Sequence, residues 1–234
     1  MNIFLPLITG ILGAMTHVLS GPDHLAAVTP FAIEEKNKAW KVGVFWGLGH
    51  ITGMMLIGVL FLIFKELIPV EKISGYSEVL VGIILIGIGI WAIMKATGIK
   101  INRNVFHIHF NNYPYLHSHK NHTVNHRHKD EENIPKKVLK NSLSAFYIGT
   151  IHGFAGIAHF VLFLPVLGFS SGIEIANYLI GFAIGTILAM MLYALLLGKI
   201  SHLFHSNSKK VFKYLRLGSG ILAIVVGLYW IFAN

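Results

Sequence analysis

Long apolar runs separated by short polar stretches dominate the chain. A helix needs ~20 apolar residues to cross the hydrocarbon core of a bilayer, and six of the runs are long enough. They predict membrane-spanning helices at about 3–28, 41–64, 76–97, 142–169, 174–198 and 211–232. The expected fold is therefore an all-α integral membrane protein with six transmembrane helices.

Composition supports this prediction and excludes several classes of protein. The chain has 234 residues, of which 54% are hydrophobic and only 12% are charged, so it is too apolar for an ordinary soluble domain. There is no cysteine, which excludes disulfides, iron–sulfur clusters and thiolate metal sites. The first apolar run lacks a positively charged start, so we expect a retained span and not a cleaved signal peptide.

Lysine and arginine fall mainly on one side of the predicted spans. The connections on that side carry 17 of the 19, whereas the other side has only Lys65 and Lys72. Cytoplasmic loops of membrane proteins carry such an excess. We therefore expect a multi-pass protein of the plasma membrane with both termini outside. The net charge of +9 reflects this asymmetry, so the expected surroundings are a lipid bilayer and no nucleic acid.

The two halves of the chain repeat a pattern of residues. Matched positions are separated by 135 to 138 residues: His17 and His24 with His152 and His159, Gly49 and Met54 with Gly185 and Met190, and Gly82 and Gly89 with Gly220 and Gly227. A repeat of three spans has to be inverted in the membrane, and inverted repeats place a substrate site near the midplane. We predict one three-helix repeat at 1–98, a loop at 99–140 and an inverted second repeat at 141–234.

The first predicted span contains three ionisable residues, His17, Asp23 and His24. Ionisable groups inside a membrane are costly and usually functional. Pro22 has no N–H to donate and should break the helix near Ser20, which lets Asp23 and His24 turn back towards His17. Imidazole and carboxylate together suit divalent metals such as Ni²⁺, Co²⁺ and Zn²⁺. The alternative is structural, with histidines bonded between helices and Asp23 capping the second half-helix.

Three further histidines extend this candidate site. His50 lies in the second span beside Gly47 and Gly49, where helices can approach closely, and His152 and His159 lie in the fourth. A lone membrane histidine more often bonds a neighbouring helix, and that alternative stays open for His50. The predicted metal site comprises His17, Asp23, His24, His50, His152 and His159. Because one carboxylate cannot neutralise a divalent ion, the set suits a carrier that must release its ion.

The loop between the third and fourth spans is rich in histidine. Seven of the 14 histidines fall within 22 residues: His107, His109, His117, His119, His122, His126 and His128. Few apolar residues anchor this segment, and such tracts bind metals weakly. We expect a disordered cytoplasmic loop that acts as a metal sensor or reservoir. The alternative is a solvated loop whose histidines have no role.

These motifs resemble those of the nickel/cobalt transporter superfamily, and its membrane-bound urease accessory branch in particular. The resemblance is carried by residues 17–28, 47–50 and 152–156, and it extends over nearly all of the membrane part. It implies a transporter for Ni²⁺ or Co²⁺. It also implies that His17, Asp23, His24 and His50 recognise the metal.

The predicted function is a secondary carrier, not an enzyme, that moves Ni²⁺ inward to supply enzymes such as urease. A divalent ion entering a negative interior gains ~4.6 kcal/mol per 100 mV, and the chain has no Gly-rich nucleotide loop for ATP coupling. We expect no tightly bound cofactor beside the transported Ni²⁺ or Co²⁺, and a cytoplasmic metallochaperone is a candidate partner. One alternative is an efflux carrier whose His-rich loop captures cytoplasmic metal. A second is a membrane electron carrier with haem bound by paired histidines.

Overall fold

The computed structural model describes residues 4–64, 70–99, 107–111, 113–117, 134–155, 165–166 and 168–233. Within these ranges the chain forms seven α-helices: α1 (Phe4–Ser20), α2 (Pro22–Glu35), α3 (Ala39–Phe64), α4 (Val70–Thr97), α5 (Ile134–Ala155), α6 (Gly172–Asn207) and α7 (Lys209–Phe232). A 3₁₀ turn, Lys36–Lys38, joins α2 to α3.

The described helices are those of an integral membrane protein. Four stretches are long and apolar enough to cross a bilayer: Pro22–Leu60, Glu78–Thr97, Gly172–His205 and Lys209–Phe232. Large apolar side chains on the outside of the bundle are at least half exposed, among them Leu12, Leu56, Ile83, Leu192 and Val225. Such a surface suits lipid better than water. The helical membrane class is confirmed, while the number of six spans stays a prediction.

The first predicted span is two helices. α1 ends at Ser20 and α2 begins at Pro22, so the predicted break is confirmed. The predicted end at 28 is wrong, because α2 continues to Glu35. The second half of α2 ends in Glu34 and Glu35, so the apolar run ends before the helix does. Tertiary contacts of its buried side chains hold it in helical form.

The histidine-rich loop contains regular structure where it is described. Strands β1 (His107–Asn111) and β2 (Tyr113–His117) pair in antiparallel register, with His107 opposite His117. The prediction of disorder does not hold for these strands, and α5 begins before the predicted boundary at 141. Aromatic and β-branched residues in this stretch favour strands. The remaining histidines of the loop lie outside the described residues: His119, His122, His126 and His128.

The helices pack in close pairs, with α1 along α6, α3 along both α5 and α6, and α4 along α7. Glycines make the close approach possible. A Cβ atom at Gly49 would lie 2.0 Å from the carbonyl oxygen of Phe146, and one at Gly153 would lie 2.1 Å from that of His50. Small residues spaced four apart are typical of close helix pairs in membranes. This contact brings the middle of α3, with His50, against α5, with His152.

α2 lies inside the bundle and contacts α3, α4, α5, α6 and α7. Polar side chains fix its C-terminal end. The buried carboxylate of Glu34 accepts hydrogen bonds from Lys95 of α4 at 2.9 Å and from Arg216 of α7 at 3.0 Å. The adjacent Glu35 accepts one from the amide of Asn141 of α5. We call Glu34, Lys95 and Arg216 the Glu34 cluster; its contacts fix where the other end of α2 lies.

Candidate metal centre

The break between α1 and α2 places two ionisable residues at a helix start. The Gly21 N–H donates to the carbonyl oxygen of His17 at 3.1 Å, which closes the last turn of α1. Gly21 then adopts an extended conformation with φ −80° and ψ 105°, and Pro22 opens α2. Asp23 therefore lies in the first turn of α2, where the positive end of the helix dipole stabilises a carboxylate.

The carboxylate of Asp23 reaches across to the fifth helix. Its Oδ2 lies 3.0 Å from Nε2 of His152, and its Oδ1 lies 3.7 Å from Nδ1 of His24. The N-cap of α2 is Gly21, with no side-chain cap. Asp23 is therefore not the N-cap residue, although its carboxylate lies in the first turn of α2. The carboxylate is instead directed at two imidazoles from different helices.

His24 is the centre of the cluster. Its ring centroid lies 4.8 Å from that of His17, 5.2 Å from that of His50 and 4.7 Å from that of His152. Two triads of possible ligand atoms result, His17–His24–His50 and Asp23–His24–His152. Within each triad the atoms all lie within 4.8 Å of one another. Four imidazoles and one carboxylate thus converge from α1, α2, α3 and α5.

Burial differs across the cluster. Asp23, His24, His50 and His152 are at most 6% exposed, whereas His17 is only half-buried. Buried polar groups need hydrogen-bond partners, and buried charges are paired or coordinate metal ions. The arrangement can therefore hold a divalent metal ion, with His17 on its accessible side.

Trp46 forms one wall of the cluster, which the sequence reasoning missed. Its fully buried indole stacks on the His50 ring at 4.9 Å with an angle of 10° between the planes. It also lies edge-on to His24 at 5.4 Å. In the sequence, Trp46 lies four residues before His50, and residues four apart on a helix share a face, so this spacing indicates that the two rings are neighbours. Trp46 limits the rotation of His50 and keeps its nitrogens directed at the cluster.

Five of the six predicted site residues meet at this centre: His17, Asp23, His24, His50 and His152. His159 lies outside the described residues, so its part in the site stays a prediction. Thr186, which matches His50 in the second half of the chain, is fully buried and donates to the carbonyl oxygen of Phe182 at 2.9 Å. That bond lies within α6.

We expect Gly21→Ala to weaken metal binding at the centre. The backbone angles at Gly21 suit alanine, but a Cβ atom would lie 2.0 Å from Nδ1 of His24. The His24 ring is 1% exposed and cannot move aside without displacing its neighbours. Nickel affinity of the purified protein, measured by titration calorimetry, should fall about tenfold or more, the range seen when metal ligands lose their support.

Gly58→Ala in α3 is the matched control for this substitution. A Cβ atom there would meet nothing within 4 Å, so the same chemical change should leave nickel affinity unaltered. Equal affinities for Gly21→Ala and the wild type would show that the position of His24 does not matter for binding.

The fold and the site define a helical membrane protein with a buried histidine–aspartate cluster, and the sequence comparisons agree with the membrane class. The chain belongs to the family described as the cytochrome c biogenesis protein transmembrane region, whose model matches residues 6–229. No solved structure matches the chain.

Three relatives are similar over most of the chain. Chloroplast protein FOR GROWTH AND FERTILITY 2 of Arabidopsis thaliana is 32% identical over 221 residues, which is 94% of this chain and 54% of that protein. FOR GROWTH AND FERTILITY 1 is 31% identical, with 57% of it covered, so the chain spans about half of each plant relative. Urease accessory protein UreH of Bacillus sp. (strain TB-90) is 29% identical over 90% of this chain and 84% of that protein.

Proposed function

We propose that the protein is a secondary carrier for a divalent transition metal, with Ni²⁺ as the principal substrate and Co²⁺ as a second. The observation that carries the proposal is the convergence of His17, Asp23, His24, His50 and His152 at a broken helix. Imidazole nitrogen with one carboxylate oxygen is a ligand set that suits these ions. The UreH relative is named for urease, and we extend that link to Ni²⁺ supply by this chain.

The charge of the cluster suits a carrier. Asp23 is its only carboxylate among the described residues, so the protein compensates half of the charge of a divalent ion. A permanent structural site would compensate more of that charge and hold the ion more tightly. Partial compensation leaves the ion exchangeable. Discontinuous helices like α1–α2 provide ion sites in many secondary transporters.

The packing supports two inverted three-helix repeats. Gly49 lies against the carbonyl of Phe146, and Gly185, its counterpart in the second half, lies against the carbonyl of Ile11, the counterpart of Phe146. The contacts between α4 and α7 show the same symmetry. Gly82 lies against Gly227, and Gly89 lies against Gly220. Replacing each residue of the first contact by its counterpart in the other half gives the second contact. We propose that the chain has six membrane spans, and that this exchange relates the first three spans to the last three.

The orientation follows from charge. The Glu34 cluster brings Lys95 and Arg216 together, and both belong to the set of cations predicted on the cytoplasmic side. That grouping supports a cytoplasmic position for this end of the bundle. The termini are then outside the plasma membrane. A cytoplasmic metallochaperone would receive the ion at this end.

Haem binding is not favoured by the same geometry. The imidazole of His24 contacts those of His17, His50 and His152 directly, with centroids 4.7 to 5.2 Å apart. A porphyrin would have to lie between two axial histidines, and these rings leave no gap for one. The family is described by its part in cytochrome c biogenesis, but this chain has no cysteine for thiol chemistry.

Cellular nickel content tests the proposed function. Cells expressing the wild-type chain are compared by mass spectrometry with cells expressing His17→Ala/Asp23→Asn, both in micromolar nickel. His202→Ala, at an exposed position of α6, controls for loss of a histidine elsewhere. We expect more nickel in wild-type and His202→Ala cells than in the double variant. Lower nickel in wild-type cells than in the double variant would instead establish efflux. If wild-type and double-variant cells contained the same amount of nickel, and also the same amount of cobalt, the carrier function would be overturned.

A further inference from the structure

The histidine cluster contains two sets of ligand atoms and not one. His17–His24–His50 and Asp23–His24–His152 each have all their ligand atoms within 4.8 Å, which is close enough for a single ion after small side-chain rotations. His24 belongs to both sets. It lies between them, with its ring in contact with His17 on one side and His152 on the other.

The two sets differ in access. The first, which we call the outer triad (His17, His24 and His50), includes half-buried His17 at the end of α1. The second, the inner triad (Asp23, His24 and His152), is buried at every member. An ion that enters past the partly exposed ring of His17 would therefore meet the outer triad first.

The two sets also differ in charge. The outer triad offers three imidazoles, which bind a metal ion as uncharged ligands, whereas the inner triad includes the carboxylate of Asp23. Neutral nitrogen ligands can replace part of the hydration shell of a divalent ion without holding it by charge. The carboxylate adds Coulomb attraction, which is stronger in a buried environment than in water. The inner triad is therefore the more stable position once the ion has shed most of its water.

We propose that these triads are two alternative positions for one transported ion, and that His24 passes the ion from the outer position to the inner one. The proposal rests on the proposed carrier function and specifies how the ion moves through its site. Because His24 is shared, an ion in one triad removes a ligand from the other. The ion changes partners stepwise, exchanging His17 and His50 for Asp23 and His152, and is never without protein ligands.

Copper(II) is the probe, because pulsed electron paramagnetic resonance counts the imidazoles bound to it. The full-length protein is purified in detergent and given half an equivalent of Cu²⁺. We expect two coordinated imidazoles in the wild type, since the inner triad contains His24 and His152. His17→Ala should show the same two. Asp23→Asn should show three, because the ion then stays at the outer triad.

His202→Ala controls for binding by an exposed histidine of α6, and replacement of the seven loop histidines by alanine controls for binding by the loop. Both spectra should equal that of the wild type. Four imidazoles in the wild type, or loss of binding in both single variants, would establish one composite site and overturn the proposal. Two magnetically coupled Cu²⁺ ions in the cluster, after addition of more than two equivalents, would also overturn it. If Cu²⁺ bound to the wild type had no imidazole ligand, the carrier function itself would be contradicted. If the wild-type chain accumulated nickel but Cu²⁺ had the same ligands in all variants, only the proposal of two positions would be contradicted.

Discussion

Asp23→Asn is expected to abolish nickel accumulation while the protein still folds and inserts. The amide has the shape of the carboxylate and can accept a hydrogen bond from Nε2 of His152, which lies 3.0 Å from Oδ2. It has no charge. Two unit charges about 4 Å apart interact by ~4 kcal/mol at an effective dielectric constant of about 20. Desolvation offsets part of this, so we expect nickel affinity to fall on the order of 100-fold.

Two measurements separate this effect from misfolding. Nickel affinity is measured by titration of the purified protein, and folding is measured by thermal unfolding in the same detergent. Glu174→Gln is the matched control, because Glu174 is a half-buried carboxylate far from the centre that accepts a hydrogen bond from the N–H of Ser170 at the start of α6. It should leave both affinity and accumulation unchanged. Normal nickel accumulation by a stable Asp23→Asn protein would rule out the mechanism proposed for the site.

Gly153→Ala is expected to damage stability and the site together. The added Cβ atom would lie 2.1 Å from the carbonyl oxygen of His50, so α3 and α5 would have to move apart. Overpacking of this kind costs about 1–3 kcal/mol, which lowers the midpoint of thermal unfolding by about 2–12 °C in a chain of this size. Separation of α3 from α5 also moves His50 away from His152, whose rings are now 5.8 Å apart.

Gly87→Ala in α4 provides the comparison, since a Cβ atom there meets nothing within 4 Å. Alanine is the better helix former, so this variant should be as stable as the wild type or slightly more so. Circular dichroism during heating and nickel titration are both measured on each variant. If Gly153→Ala matched Gly87→Ala in both, close contact between α3 and α5 would not be what positions the histidines.

Local chemistry made parts of this molecule predictable. Pro22 cannot continue the hydrogen bonding of α1, so a break near Ser20 followed from the sequence, and the helices end and begin there. Ionisable side chains in an apolar chain avoid lipid, and this predicted that His17, Asp23 and His24 would meet other polar groups. The structure brings them to His50 and His152. Their role as metal ligands stays a prediction.

Contacts between distant parts of the chain could not be predicted in the same way. The length of α2 depends on Glu34 meeting Lys95 and Arg216, which lie in other helices far along the sequence. The wall formed by Trp46 depends on how α3 faces α2 and α5, and one sequence does not specify that angle. The strands β1 and β2 lie in a histidine-rich segment whose polar residues favour disorder, and there the aromatic residues and cross-strand pairing favour strands instead.

α2 connects the histidine cluster at its N-terminal end to the Glu34 cluster at its C-terminal end. Asp23 and Glu34 lie on one helix of 14 residues, about 16 Å apart at the helical rise. We expect a shift that carries Asp23 towards an ion to move Glu34 relative to Lys95 and Arg216. The free energy of ion binding would then be coupled to the ion pairs of the Glu34 cluster. This coupling is reciprocal, so whatever competes for Lys95 or Arg216 also changes the affinity for the ion.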